Sequence, residues 1–212
     1  FSPPVIAAAS GRLTDASNSD DKLLMPLLNY LYSSFHTKVE LYRMLKSISK
    51  KTIGFLEVSA AYDRALEFKK SGQLKLKELY KKHLTETGND IHTVLLGRPY
   101  TVLCPQMNKG IPDIFASLGI KAFYQDMLSY RRQDVASIQP LLCELHWHYA
   151  ANIMEAAEII AKSKGAYPVL MTSFKCSPDS FVVDYFKKIM ESHAKPYLIL
   201  QLDEHDATTG YE

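Results

Sequence analysis

Cys176 is the residue of this chain whose type and position best suit thiolate chemistry. It follows an apolar run at residues 167–171 that predicts a strand, and it precedes an amphipathic helical pattern. Ser177 suits the N-cap of that helix and Pro178 its first position. Free N–H groups and the positive end of the helix dipole stabilise a thiolate, the form that binds metal or attacks an electrophile. A buried, inert cysteine is the commoner fate of this residue type, and the pattern leaves both readings open.

The other two cysteines are weaker candidates for metal ligands. Cys104 follows the first predicted strand closely enough to reach the sheet edge, although an ordinary loop cysteine fits the same position. Cys143 shares a predicted helical stripe with Trp147, Ala150, Met154 and Ala157, which indicates packing in the core. Three thiolates with one exogenous ligand would suit iron–sulfur chemistry, so both cysteines stay additional candidates beside Cys176.

Several well-known site motifs do not occur in the chain. There is neither a Walker A pattern nor a GxGxxG fingerprint, so the chain contains no recognised ATPase domain. There is no HExxH and no CxxC, which leaves zinc with little support. His146 and His148 are expected on a helix, where residues two apart point in nearly opposite directions and do not chelate together.

Composition bounds the class of protein. With 212 residues the chain can bury a core without disulfides, and its three widely spaced cysteines do not form a disulfide pattern. A net charge of +2 is too small to indicate nucleic-acid binding. The chain has no apolar run of membrane-spanning length and no signal peptide, so we expect no membrane partner and a cytoplasmic location. It begins with Phe1, and we interpret it as a piece of a longer parent protein.

Two regions of different character are predicted. Residues 1–90 comprise an extended, Ser- and Pro-containing start and then a helical portion, whereas residues 91–212 alternate short apolar runs with helical patterns. That alternation is typical of an α/β fold, a flavodoxin-like or doubly wound parallel sheet of about four strands flanked by helices. The predicted strands are His92–Leu96, Ile120–Tyr124, Tyr167–Thr172 and Tyr197–Leu202, and the predicted helices are Pro112–Ser117, Leu141–Lys162 and Asp179–His193.

Polar residues gather where these strands end. Ligands of parallel α/β sheets bind outside the carboxyl ends of the strands, and the loops there begin near Gly97, Asp126, Cys176 and Asp203. We therefore expect all four positions along one sheet edge. Arg98, next to Gly97, either presents its guanidinium to an anion or holds a carboxylate such as Asp126.

The order of five segments in the second region resembles a known family. These are GRPY (97–100), MNKGIP (107–112), ASLGI (116–120), SFKCSPDSF (173–181) and KPYLILQLDEH (195–205). Together they resemble the cluster-bearing module of the 2-hydroxyacyl-CoA dehydratase and benzoyl-CoA reductase superfamily, in the version found in fused CoA-substrate-specific enzyme activase proteins. The resemblance covers residues 91–212 well and the helical first part only loosely.

The resemblance implies a role beside an iron–sulfur cluster. In that family two α/β lobes hold a [4Fe-4S]-type cluster through cysteines, and a separate ATP-hydrolysing activator delivers low-potential electrons for dehydration or reduction of an acyl-CoA. Cys176 matches the late cysteine ligand, whereas the earlier ligands would lie before Phe1, so the cluster is expected to be incomplete or absent in this fragment. Cys104 and Cys143 are not at cysteine positions of the family. The partners implied are a second lobe or other domains of the parent, the activator domain and an acyl-CoA.

Six residues are assigned to the surroundings of the cluster or to an anionic group of the substrate. They are Gly97, Arg98, Asn108, Lys175, Asp203 and His205.

Two rival hypotheses remain at this point. One is a non-catalytic docking or scaffold domain of a fused protein, and the other is nucleophilic catalysis by Cys176 with His205 as its base.

Overall fold

The computed structural model describes residues 33–48, 52–88, 90–173 and 177–203, with the backbone alone at 177–179. The chain divides between Ser71 and Gly72 into two compact units. Helix α1 (Ser34–Ile48) and the first half of helix α2 (Phe55–Thr87) belong to the first unit, and the remainder of α2 belongs to the second. The predicted division of the chain into residues 1–90 and 91–212 stays a prediction.

The described residues of the first unit form a pair of helices. Phe55, at the start of α2, packs its ring edge-on against Phe35 and Tyr42 of α1, with ring centroids 5.8 Å apart in both pairs. The ammonium group of Lys38 lies 2.8 Å from a carboxylate oxygen of Asp63, which joins the two helices a second time. These contacts confirm the predicted helical character of this region within the described residues.

The second unit is built on a parallel sheet. Its strands are β1 (His92–Gly97), β2 (Lys121–Tyr124), β3 (Ala166–Ser173) and β4 (Leu198–Leu202), in the order β2-β1-β3-β4. All three pairings are parallel. The predicted α/β fold with four parallel strands is therefore confirmed, and the observed strand ends lie within one residue of the predicted ones.

Helices cover both faces of this sheet. The α-helices are α3 (Pro99–Leu103), α4 (Pro105–Asn108), α5 (Ile111–Ser117), α6 (Gln139–Glu144), α7 (His148–Lys162) and α8 (Ser177–Ser192). Two 3₁₀ helices span Gln125–Met127 and Arg132–Ile138. Val94 and Leu96 of β1 join a core with α7 and α8, whereas Leu95 joins one with α3 and α5. Alternate residues thus face opposite sides, and all of β1 is buried.

The predicted helix Leu141–Lys162 is wrong, because the chain leaves the helical conformation between Glu144 and His148. The backbone is extended at Leu145, with ψ 100°, and at Trp147, with ψ 114°. Leu145 packs against the core that contains α7 and α8, and the Trp147 ring lies 6.3 Å from that of Phe181. Tertiary contacts of these two side chains therefore accompany a break that helical spacing in the sequence does not reveal.

The break also changes two predictions about side chains. Cys143, predicted to be a core residue, is exposed near the end of α6, since the stripe it was assigned to is interrupted after Glu144. His146 lies between the two helices rather than on one helix with His148, so the argument from opposite helical directions does not apply.

Within the described ranges, no helix is both long and apolar enough to cross a membrane.

Candidate functional site

The carboxyl ends of the four strands form one edge of the sheet, which we call the carboxyl edge. Gly97 at the end of β1 is paired with Met171, and Ser173 at the end of β3 is paired with Leu202 at the end of β4. Asp126 follows β2, and Asp203 follows β4. The structure therefore brings Gly97, Asp126 and Asp203 to one edge, as expected, while Cys176 lies outside the described residues.

Gly97 is held at this edge by a close approach of two strands. Its φ is 153°, and a Cβ at this position would lie 2.6 Å from the carbonyl oxygen of Met171 and 2.7 Å from Cγ2 of Val102. The N–H of Gly97 donates a hydrogen bond to Oε1 of Gln125, at 3.0 Å. Gln125 is buried, so its side chain ties the ends of β1 and β2 together inside the edge. The role of Gly97 seen here is to permit this backbone contact.

The segment after Gly97 presents one cation and one buried hydroxyl. Nη1 of Arg98 donates to the hydroxyl of Tyr100 at 2.6 Å, and the guanidinium lies 5.8 Å from the centre of that ring. Thr101, in the following helix α3, is 1% exposed, and its hydroxyl has no hydrogen-bond partner among the described residues. The turn after Gly97 therefore holds Arg98 against Tyr100 and encloses the Thr101 side chain.

Asn108 holds the loop that follows this turn. Its Nδ2 donates to the carbonyl of Val102 at 2.9 Å, and its Oδ1 accepts from the N–H of Gly110 at 3.0 Å. Asn108 is buried, so both ends of its amide fix the backbone between α3 and α5. The structure therefore shows a positioning contact for Asn108, and its predicted role near an anionic group stays a prediction.

A polar cavity of about 270 Å³ opens at the end of β2. We call it the edge cavity, and its lining combines residues after β2 with residues of α2 and α7: Gln73, Lys77, Gln125, Asp126, Leu128, Tyr130 and Asn152. The Tyr130 hydroxyl donates to Oε2 of Glu155 at 2.8 Å. Burial raises the pKa of Tyr130 well above its usual value, and the hydrogen bond to Glu155 raises it further. Tyr130 is therefore a neutral donor at this edge.

Sequence reasoning identified only part of the edge cavity. It placed the Gln125-Asp126 loop at the sheet edge, but it missed Lys77, Tyr130 and Asn152. Lys77 belongs to a helix that precedes the sheet, and Asn152 belongs to the helix after the unpredicted break. No local pattern links such distant positions, because their meeting depends on how the helices pack against the sheet.

A second, larger cavity of about 510 Å³ runs beside β3, α8 and β4. We call it the strand cavity, and its polar lining includes Thr172, Ser173, Ser180, Asp184 and Gln201. Ser173 and Ser180 are the nearest residues with described side chains before and after the segment containing Cys176. Lys175, Cys176 and His205 themselves lie outside the described residues, so their predicted roles stay predictions.

The two described cysteines lie apart in the fold. Cys104 is half-buried between α3 and α4, and its thiol donates to Oε1 of Gln106 at 3.1 Å. Cys143 is exposed, and its sulfur accepts a hydrogen bond from Nε2 of Gln139 at 3.6 Å. Within residues 33–48, 52–88, 90–173 and 177–203 there is no group of three His, Cys, Asp or Glu side chains arranged to hold a metal ion.

Comparison with models of known protein families shows which family this chain belongs to. Residues 2–128 match the family described as CoA enzyme activase uncharacterised domain (DUF2229). The chain belongs to this family. The match extends through the first two strands to Leu128, and it includes the helical region for which the resemblance of motifs was loose.

No curated protein and no solved structure matches the chain significantly. The residues after Leu128, which include β3, α8 and β4, lie outside the family match, and their placement at the carboxyl edge comes from the structure.

Proposed function

We propose that this CoA enzyme activase domain is the α/β module of a protein related to the 2-hydroxyacyl-CoA dehydratases and benzoyl-CoA reductases. In this proposal Cys176 is one ligand of an iron–sulfur cluster that other parts of the parent protein complete. The parent would use the cluster for low-potential electron transfer to an acyl-CoA, or for its dehydration or reduction. The domain's contribution is to position that thiolate and to shape the surrounding surface.

The observation that carries the proposal is the position of the strand ends. The four parallel strands end at one edge, and the chain passes from β3, a central strand, toward α8 through the segment that contains Cys176. Ser173 and Ser180, on either side of that segment, both line the open strand cavity. Binding sites of parallel α/β folds lie at such an edge, and the family membership supports CoA-related chemistry.

The described residues do not fit a complete cluster by themselves. Cys104 and Cys143 form no metal-binding group with other His, Cys, Asp or Glu side chains in the described part of the chain. Iron–sulfur clusters need about three or four thiolate ligands. The proposal therefore requires cysteines from a second lobe or from another domain of the parent, and it gives this domain no reaction step of its own.

The test uses the full-length parent protein, purified without oxygen. We expect iron and sulfide in the preparation and an EPR signal in the reduced state. Cys176→Ala should lose most of the iron, because one thiolate ligand is removed. Cys143→Ala is the matched control, since this cysteine is exposed, and it should keep both the iron and the stability of the parent. Full iron content in Cys176→Ala would contradict the proposal.

A second candidate function is docking without catalysis. It is favoured by apolar side chains that remain exposed on the second unit, namely Leu76 at 40% and Leu79 at 57%, which are three residues apart and lie on one face of α2. Such side chains mark protein–protein contact surfaces when they cluster. If docking is the whole function, a Leu76→Lys/Leu79→Lys parent should lose its association with a partner domain in sedimentation, while Cys176→Ala should leave iron content unchanged.

A further inference from the structure

A groove with lysines on both walls lies beside the edge cavity. Its volume is about 530 Å³, and it runs along the last turns of α2. We call it the lysine groove. Lys77 and Lys81 of α2 line one wall, and Lys164, which follows α7, lines the other.

The base of the lysine groove is apolar and includes one aromatic ring. It comprises Tyr80, Leu128 and Ile159, of which Tyr80 and Leu128 are buried. The hydroxyl of Tyr80 is engaged by Nε2 of His92 at 3.0 Å, so it is not available to a ligand. Tyr80 is 7% exposed and its ring packs against those of His92 and Phe123, so it adds a small apolar area to the base.

The walls concentrate positive charge. Lys77 and Lys81 are four residues apart, so they lie on the same face of α2. No Asp or Glu lines the groove, and these two lysines and Lys164 form no ion pair with a carboxylate in the described part of the chain. A fourth ammonium group is close, because Nζ of Lys195 donates to the carbonyl of Ser163, another lining residue, at 2.6 Å.

We propose that the lysine groove binds an organic phosphate with an apolar or aromatic body, of the nucleoside phosphate class. A phosphate monoester carries nearly two negative charges at neutral pH, and lysine binds phosphate as a point charge. In this proposal the apolar base of the groove contacts the body of the ligand, and the lysines on the two walls bind its phosphate. This site is separate from the cluster proposed above, so it goes beyond that function and does not depend on it.

Two further features favour a small molecule. A cavity of about 530 Å³ lies within the range typical of small-molecule sites, whereas a membrane surface would call for a flat basic face. The lysine groove also shares Lys77 and Leu128 with the edge cavity. A small ligand held by the lysines therefore has a second concave surface beside it.

Calorimetry on the 212-residue chain tests the proposal, with AMP, adenosine and inorganic phosphate as the three probes. AMP should bind more tightly than either of the others, and its affinity should fall as the salt concentration rises, because ionic attraction is screened. Equal affinity for phosphate and AMP would indicate a surface that attracts any anion and would overturn the proposal. Equal affinity for adenosine and AMP would overturn it as well, as would the absence of AMP binding at millimolar concentration.

Variants locate the binding in this groove. Lys81→Gln/Lys164→Gln removes two exposed charges without disturbing the core, and it should weaken AMP about tenfold. Lys75→Gln is the matched control, since Lys75 is exposed on the same helix but lines neither cavity. Leu84→Gln, on the apolar lining, should weaken AMP and leave inorganic phosphate unaffected. Unchanged AMP affinity in the double variant, or equal weakening by Lys75→Gln, would refute the assignment.

Discussion

At the scale of single residues, Gly97 leaves no room for a side chain. A methyl group there would meet the carbonyl oxygen of Met171 at 2.6 Å and Val102 at 2.7 Å, so β1 and β3 would have to separate. We expect Gly97→Ala to lower the free energy of unfolding by about 2–4 kcal/mol, measured by chemical denaturation. Gly110→Ala serves as the control, because Gly110 has φ 72° but open space around it, and it should cost only about 1–2 kcal/mol.

Tyr80 makes stability depend on pH in the alkaline range. Nδ1 of His92 donates to the carbonyl of Asp90 at 2.8 Å, so its Nε2 is the acceptor for the Tyr80 hydroxyl. Burial raises the pKa of Tyr80 from 10.0 to about 12. The folded state therefore favours neutral Tyr80, and this stabilisation is complete below pH 10 and is lost as the pH rises to about 12.

The expected loss is about 2–3 kcal/mol, measured by denaturation at pH 9 and near pH 12. Tyr80→Phe should be less stable at pH 9, because it leaves Nε2 of the buried His92 without its donor. It should also lose less stability than the wild type between the two pH values. An identical alkaline loss in both proteins would show that Tyr80 does not titrate in this way.

At the scale of elements, a buried carboxylate joins α7 to the second 3₁₀ helix. Glu158 is 1% exposed, and its Oε1 accepts from Lys162 of α7, at 2.8 Å, and from the Ser137 hydroxyl. The ammonium of Lys162 also donates to the carbonyl of Asp134 at 2.8 Å. Burial alone would raise the pKa of Glu158, but the hydrogen bonds from Lys162 and Ser137 outweigh it and lower the pKa overall.

Lys162→Met should lower the free energy of unfolding by about 2–3 kcal/mol at pH 7, because it leaves the buried carboxylate without its cation. The pKa of Glu158 is lower in the folded state than its usual value of 4.5. The ion pair with Lys162 therefore stabilises the folded state at pH values above 4.5, and this stabilisation is lost as the pH falls below that value. The penalty of Lys162→Met should therefore shrink in acid. Glu158→Gln/Lys162→Met removes the buried charge and should recover part of the stability, which a double-mutant cycle measures.

At the scale of the whole molecule, the boundary of the α/β unit can be tested with fragments. The ring of Tyr80 lies 5.0 Å from that of Phe123, and the ring of His83 lies 4.6 Å from it, so the end of α2 packs on the sheet. We expect residues 72–212 to unfold cooperatively at a clearly higher temperature than residues 91–212, measured by circular dichroism. Equal unfolding temperatures would support the division at residue 90 that the composition predicts.

The sequence by itself determined the class of the fold and the position of its strands. Residues 94–96 and 168–171 are continuous apolar runs, which are typical of strands in a parallel sheet covered on both faces, and all of them are buried. The order of strands along the chain placed Gly97, Asp126 and Asp203 where strands end, and the parallel pairing brought them to one edge. These features follow from local patterns, which a sequence displays directly.

Only the tertiary structure decided which distant residues meet. The interruption at Leu145–Trp147 left Cys143 exposed, although the spacing of apolar residues continued through it. Lys81 and Lys164 face one groove because α2 and the end of α7 lie next to each other beside the sheet. Local patterns record how a segment buries its apolar face, whereas contacts between segments depend on packing over the whole unit, which is why the lysine groove and the edge cavity emerge only from the fold.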